Sequence, residues 1–389
     1  MATSGRKLRV GMVGGGGPGN FFGGPHRRAI LMDNTAELTA GALRSDPNGS
    51  LAAAKELFFA RGYPDYQTMF REEAALPDGD RIDYVTIVTP NDSHFPIAKA
   101  ALEAGISVLC EKPLTLTLRE SLDLVALAKK ARLPFTVAYS YTGLPMVMLA
   151  RELVRGGEVG TIRKVEAWYP QGWLASPLEE SGQQQASWRV DPSKSGASGC
   201  GGDIGTHAYE HVRFVTGLGA RQVQARLHTF VPGRKLDDDF TVLARLDNDA
   251  LATISASQIT IGAQNDNGFR VIGDKGRVEW SMLDHMSLYL YQPSEPVKQF
   301  RLGADYGYFP ASIQPYLRLP SGHPEGFHEA LANLHKSHQL RLRKLGGESV
   351  PDAFSHPDVV EGAAGLAFVE ASVRSSANDG AWTDVAQVS

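Results

Sequence analysis

The sequence predicts two domains of different class: a doubly wound parallel α/β sheet over residues 1–143, then an α+β domain over 144–389 built on a mostly antiparallel open sheet. Three observations carry this. The first part alternates short Val/Ile/Leu-rich runs with amphipathic stretches, the pattern of a parallel sheet covered on both faces. The second part lines up strand-like segments with only turns between most of them. A chain of 389 residues also exceeds what one compact core comfortably holds.

The first expected strand is LRVGMV (8–13), followed by a helix over 26–32. ELTAGAL (37–43), IDYVTIV (82–88), ISVLC (106–110) and FTVAY (135–139) supply further strands, with helices at 50–59, 93–104 and 117–131 between them. Ligands on such a sheet bind beyond the carboxyl ends of the strands. The stretch LPMVMLARELVRGG (144–157) is a helix closed by a glycine pair. After it come TIRKVEAWY, RQVQARLHTFV, DFTVLARL, ALATISASQI, FRVIGD, RVEWSM and SLYLYQ. Turn signals such as DND and GDKG fall between some of these segments. A polar stretch over 174–202 and a helix beginning near Asp203 interrupt the run, and two long helical patterns end the chain.

Composition excludes several classes. The net charge of −4 leaves no basic surplus for a nucleic-acid backbone. No apolar run reaches the roughly 20 residues that span a bilayer. Two cysteines, Cys110 and Cys200, cannot staple a chain of this size, which points to a reducing compartment and a cytoplasmic protein.

The densest signal follows the first strand: GGGGPGNFFGGPHRRAI, residues 14–30. It contains G-x-G-x-x-G as Gly14, Gly16 and Gly19, after a strand and before a helix, where glycine lets main-chain N–H groups approach a pyrophosphate. Pro25 suits a first helical turn, so Asn20 to Gly23 form an insertion. That insertion either carries Phe21 and Phe22 to the site or packs them under the loop. At the end of the second strand, Arg44, Ser45 and Asp46 offer both an Arg for a 2′-phosphate and an acid for ribose hydroxyls, so NAD is preferred and NADP is possible.

Three more stretches complete a set: TPNDSH (89–94), CEKPL (110–114) and GGDIGTH (201–207). With the glycine loop, they make the whole chain resemble the glucose–fructose oxidoreductase/inositol dehydrogenase (Gfo/Idh/MocA) family. The resemblance implies a Rossmann domain, an open-sheet domain often used for homo-oligomers (a dimer or tetramer), and catalysis by Lys112, Asp203 and His207. The lengthened glycine loop departs from the family pattern and affects the expected pyrophosphate geometry.

Those residue types suit the chemistry. Oxidising an alcohol removes a hydride from carbon and a proton from oxygen, and histidine exchanges protons near neutral pH. Asp203, four residues before His207, lies on the same helical face, to orient the imidazole or to bond a substrate hydroxyl. The positive ring of oxidised nicotinamide disfavours the ammonium form of Lys112. Lys112 and His207 are then expected to flank the reacting hydroxyl. Thr89, Pro90, Asn91, His94 and Glu111 are assigned to the cofactor, with a helix cap or loop hydrogen bond as the plainer role for each. Tyr141, Arg189 and His323 are assigned to the substrate, a small carbohydrate or cyclitol. Two rivals stand beside this. H-A-Y-E-H (207–211) matches a zinc-hydrolase signature through His207, Glu210 and His211. A dinucleotide-binding sensor would keep the fold without the chemistry.

Overall fold

The computed structural model describes residues 5–17 and 20–388, which fall into two compact units. The first comprises residues up to Thr115, Arg119–Gly143 and Phe327–Gly362; the second comprises Leu116–Leu118, Leu144–Gly326 and Ala363–Ser389.

In the first unit, β1 (Leu8–Gly14), β2 (Ala36–Ala42), β3 (Arg61–Gly62), β4 (Tyr84–Val88), β5 (Ser107–Cys110) and β6 (Phe135–Val137) form one parallel sheet in the order 3-2-1-4-5-6. That is the doubly wound order whose ligands sit at the carboxyl edge where the winding reverses, between β1 and β4. The helices are α1 (Gly23–Met32), α2 (Pro47–Glu56), α3 (Tyr66–Ala75), α4 (His94–Glu103) and α5 (Leu118–Ala131). Central strands are apolar on both faces: Leu8, Val10, Met12, Tyr84, Val88 and Leu109 join one buried core, and Val13, Val85, Ile87 and Val108, at the alternate positions, are buried as well.

The expected boundaries need correcting at two places. Residues 61–75 form β3 and α3, where no element was expected. The helix over 327–345, placed by sequence order in the second domain, belongs to the first unit. Its Leu334 and Leu342 enter the core of the parallel sheet, and Leu331 and Ala332 pack on Ala29 of α1. Gly143 allows this close packing, because a Cβ there would lie 2.1 Å from the Ala330 carbonyl oxygen.

The second unit opens with α6 (Pro145–Arg155) and β7 (Ile162–Pro170). Two short helices, α7 (Gln184–Arg189) and α8 (Pro192–Ser195), precede a π-helical turn over Gly201–Gly205 that runs directly into α9 (Thr206–Thr216). The strands β8 (Ala220–His228), β9 (Asp239–Leu246), β10 (Leu251–Ser257), β11 (Gly268–Gly273), β12 (Arg277–Ser281), β13 (Ser287–Tyr291), β14 (Lys298–Arg301) and β15 (Thr383–Asp384) complete a nine-stranded sheet. Its order is 14-13-12-11-7-10-9-8-15, antiparallel except where β7 runs parallel to β10. Alternation sets its faces: Phe240, Val242, Ala244 and Leu246 of β9, with Ala252, Ile254 and Ala256 of β10, are buried on one side. The last helices are α10 (Phe327–Leu345), described above, and α11 (Val359–Ala377). Among the described residues no helix is long and apolar enough to cross a membrane.

The start of α11 carries a pH-dependent element. The Asp358 carboxyl caps Val360 N–H at 2.7 Å, while Glu361 Oε2 accepts the Asp358 N–H at 3.1 Å. Burial, then the neighbouring Glu361 carboxylate, pushes Asp358 up to about 7. An acid raised in the fold binds its proton more tightly there than in the unfolded chain. Its contribution is therefore complete below the unfolded carboxyl value and is lost as pH rises through about 7. Asp358→Asn keeps a capping oxygen without the charge. Its melting temperature is expected to exceed that of the wild type at about pH 8 and to converge with it at about pH 4, as thermal unfolding at the two pH values will read.

Candidate functional site

The described part of the glycine loop is tightly folded. Gly14 and Gly15 both have φ +82°, a backbone region that side chains with a Cβ rarely adopt. Gly16 donates its N–H to the Leu43 carbonyl at 3.1 Å, and a Cβ on it would meet Leu43 Cβ at 2.6 Å. The closest approach is one that the fingerprint spacing did not indicate: a Cβ on Gly23 would lie 2.2 Å from the Gly15 carbonyl oxygen. Gly23, at the start of α1, thus lets the helix close on the strand turn. Gly19 lies outside the described residues. Asn20 ties the insertion down, accepting Gly23 N–H at 2.8 Å and donating to the Val88 carbonyl at 3.3 Å. Arg27 donates to the Gly15 carbonyl at 2.9 Å. These bonds hold the two described ends of the loop, Gly14 to Gly17 and Asn20 to Gly23. A helix start held against a glycine turn suits a pyrophosphate through the positive end of its dipole, although Asn20 takes the Gly23 N–H and Pro25 has none. Gly23→Ala is expected to weaken NAD binding by about tenfold or more, since carbonyl and Cβ cannot share that space; a fluorescence titration with NAD measures it.

Phe21 is 62% exposed, edge-on to Phe22 with centroids 5.0 Å apart and 6.4 Å from Phe327. Phe22 is partly buried, so the two phenylalanines divide between a projecting and a packing position. At the end of β2, Arg44, Ser45 and Asp46 are exposed. Asp46 caps α2, its Oδ2 accepting Gly49 N–H at 2.6 Å.

At the next strand end, Thr89 Oγ1 accepts from Ser93 Oγ at 2.7 Å, Pro90 is exposed, and Asn91 is buried in the short turn before α4. His94 departs from its expected cofactor role. Its ring is fully buried, with Nδ1 2.8 Å from the Pro113 carbonyl and Nε2 2.9 Å from the Thr89 carbonyl. Burial holds it below the usual histidine value despite those carbonyls. His94 therefore ties two strand ends together. Glu111 departs in the same way: Oε1 is 2.8 Å from His26 Nε2, and Oε2 accepts the Lys112 N–H at 3.2 Å. Lys112 itself is buried directly beyond β5, before a cis peptide bond to Pro113. Tyr141 is buried in the turn after β6.

The second unit gathers its own set at the parallel ends of β7 and β10. Asp203 lies on the π-helical turn, where its Oδ2 accepts Arg189 Nε at 3.1 Å and Gln258 Nε2 at 2.9 Å. Arg189 also donates to the Gln185 side chain at 2.7 Å, and its guanidinium lies 4.2 Å from the Trp188 ring and 5.7 Å from that of Trp173. His207, in the first turn of α9, is buried with its ring 5.8 Å from that of Tyr169. Tyr169 and Gln171 both donate to Asn265 Oδ1, at 2.9 and 2.5 Å, and Trp173 Nε1 donates to Gln171 at 3.0 Å. Tyr169, Gln171, Gln258 and Asn265 were not singled out from the sequence. His323 is exposed on a loop, as expected, with Nδ1 3.3 Å from the Pro320 carbonyl.

The zinc reading finds no support in this geometry. His211 Nε2 lies 3.1 Å from Asn267 Oδ1, and burial pushes its pKa down to about 4. Among the described residues no three His, Cys, Asp or Glu side chains converge as metal ligands. Cys110 and Cys200 are both buried and unbridged.

Two family models match the chain: "Oxidoreductase family, NAD-binding Rossmann fold" over residues 8–139, and "GFO/IDH/MocA C-terminal domain" over residues 147–279. An "Uncharacterized oxidoreductase YfiI" of Bacillus subtilis is 34% identical over 97% of both chains. A levoglucosan dehydrogenase of Pseudarthrobacter phenanthrenivorans is 27% identical over 99% of this chain and 100% of that one. Two solved structures of an inositol dehydrogenase homolog from Azotobacter vinelandii superpose closely. The one with NAD+ has a TM-score of 0.89 at 33% identity over 98% of both chains. The one with NADH and myo-inositol has a TM-score of 0.86 at 30% identity, over 98% of this chain and 99% of that one. The chain belongs to the GFO/IDH/MocA family of oxidoreductases, and its first unit carries that family's NAD-binding Rossmann fold.

Proposed function

We propose that this oxidoreductase moves a hydride between NAD and a secondary hydroxyl or ketone of a sugar, glycoside or cyclitol. NAD, held by the first unit, would supply the hydride acceptor or donor. The chain's own residues do the rest: Gly14 to Gly16 and the start of α1 hold the pyrophosphate, Lys112 and His207 handle the hydroxyl proton, and Asp203 orients. The observation that carries the substrate class is the Asp203–Arg189–Gln258 cluster beside Trp173 and Trp188. Ring faces for C–H surfaces and charged hydrogen-bonding groups for hydroxyls are what a polyol ring requires. The relatives named for levoglucosan dehydrogenase and crystallised with myo-inositol support the same class. The homo-oligomer implied by the resemblance, a dimer or tetramer, belongs to this proposal, with light scattering as its test.

The test of the function is the appearance of reduced-nicotinamide absorbance with NAD, or with NADP, against a panel of inositols, aldoses, glycosides and anhydrosugars. Turnover on a cyclic polyol with NAD is the expected result. NAD binding with silence across the panel in both directions, and no bound reduced cofactor in the purified protein's spectrum, would replace the enzyme with a sensor.

A further inference from the structure

The first unit contains a chain of buried polar side chains that the proton chemistry above does not use. From the amino edge of the parallel sheet, Thr35 Oγ1 donates to Gln339 Oε1 at 2.6 Å, and Gln339 Nε2 donates to the Tyr84 hydroxyl at 3.2 Å. Tyr84 Oη lies 3.0 Å from His335 Nδ1; His335 Nε2 lies 2.9 Å from His26 Nδ1; His26 Nε2 lies 2.8 Å from Glu111 Oε1. Tyr84, His335 and His26 are fully buried and Glu111 is 5% exposed. The chain ends at the carboxyl edge, where Glu111 Oε2 accepts the Lys112 N–H at 3.2 Å.

Counting donors orients it. Gln339 spends its amide oxygen on Thr35 and so donates to Tyr84, whose own proton then goes to His335 Nδ1. His335 consequently carries its proton on Nε2 and donates to His26 Nδ1, and His26 donates from Nε2 to a Glu111 carboxylate. The reverse orientation would begin with a proton on Glu111. It would end with the Tyr84 hydroxyl accepting from two donors and its own hydrogen aimed at neither, which a buried hydroxyl does not tolerate cheaply. Burial, then His26 and His338, holds His335 well below the ordinary histidine value, and burial pushes Tyr84 up. Shifting protons along the chain would leave a buried tyrosinate. The chain is therefore a fixed string of dipoles and does not conduct protons.

We propose that His26 and His335 are positioning residues: their one-way hydrogen bonds from Tyr84 to Glu111 hold the Glu111 carboxylate in place and, through it, the main chain of Lys112. This rests on the reading of Lys112 as the group that handles the substrate proton. It also explains why α10, encoded some 200 residues after β5, packs in the first unit: it brings His335 to the end of the glycine-loop helix that carries His26.

The experiment uses the full-length protein with NAD and has two readouts. Hydrogen exchange at the Lys112 amide needs no substrate. In His26→Leu it is expected to run at least about tenfold faster while amides within β4 keep their wild-type protection, since Glu111 then loses the His26 donor and keeps only its bond to the Lys112 N–H. Under turnover, His26→Leu is expected to lower kcat about tenfold to a hundredfold with KM for NAD within about twofold, and His26→Gln, which keeps a donor towards Glu111, is expected to recover most of it. An unchanged Lys112 amide in a folded His26→Leu protein overturns the proposal. So does a loss of rate that His26→Gln does not restore. If His26→Leu does not fold, Tyr84→Phe keeps the shape and removes only the hydroxyl. Nitrogen-15 spectra of histidine are then expected to show His335 losing its single Nε2-protonated form, with faster exchange at Lys112; no change in either overturns the proposal. A wild-type protein that turns over no polyol would sink the functional reading, while the exchange readout would still decide this one.

Discussion

Lys112→Ala is expected to lower kcat for polyol oxidation by about a thousandfold while NAD still binds within about threefold of the wild-type affinity, because proton transfer by one positioned group is worth roughly that much. The lysine stands directly beyond the carboxyl end of β5, buried, with its main-chain N–H held by Glu111. The groups that hold the glycine turn, Asn20, Gly23 and Arg27, are all elsewhere in the unit. On the proposed role of Lys112, removing the amine deletes proton handling and leaves the glycine turn untouched. Lys112→Arg should do little better than alanine, since a guanidinium does not give up its proton in a protein. Steady-state rates at saturating substrate, set beside a fluorescence titration with NAD, separate the two effects. A variant that lost NAD binding but turned over normally at saturation would move Lys112 from the chemistry to the cofactor.

What was legible in the sequence follows a physical division. The parallel sheet could be read because strands covered on both faces are apolar throughout, and LRVGMV and IDYVTIV carry little else. The stretch Tyr66–Ala75 was missed because its buried side is only Met69, Phe70 and Glu73, with the carboxylate bonded to Arg61 and Tyr63. One local signal was there: Asp65 is an N-cap, accepting Thr68 N–H at 2.7 Å. The close helix–strand contact falls on Gly23, which the G-x-G-x-x-G spacing did not name. The GGP triplet at the head of α1 would have indicated it.

Contacts distant in sequence were not legible at all. Nothing near His94 says that its two nitrogens face carbonyls at Thr89 and Pro113, so a polar residue at a strand end read as a ligand contact. Two of the second unit's missed residues, Tyr169 and Gln258, share one cause. Tyr169 stands one residue before the end of β7 and Gln258 follows β10, and they come together at one edge because those strands run parallel, with Tyr169 opposite Ala256. An antiparallel reading sends the two ends apart. With that pairing known, the rule that ligands gather at parallel carboxyl ends would have named both.

The same strand ends explain the second large effect, at His207. The residue opens α9 just after the π-helical turn that carries Asp203, so the carboxylate and the imidazole rise from adjoining turns with Tyr169 beside the ring. Irregular turns of this kind concentrate at functional sites. His207→Ala is expected to lower kcat by about a hundredfold to a thousandfold, the range of a lost general acid–base group. The isotope effect from deuterium on the reacting carbon should then appear fully in kcat, because chemistry has become the slow step. Added imidazole should restore part of the rate, since the missing group is a proton carrier and its space is open. Asp203→Asn should cost less in kcat and more in KM for the polyol, because the amide takes the charge partner from the Arg189 guanidinium, only 11% exposed, and disturbs the cluster proposed to hold hydroxyls. If His207→Ala instead raised KM alone, with kcat and the isotope effect unmoved, the imidazole would belong to binding, and the proton would leave by way of Lys112.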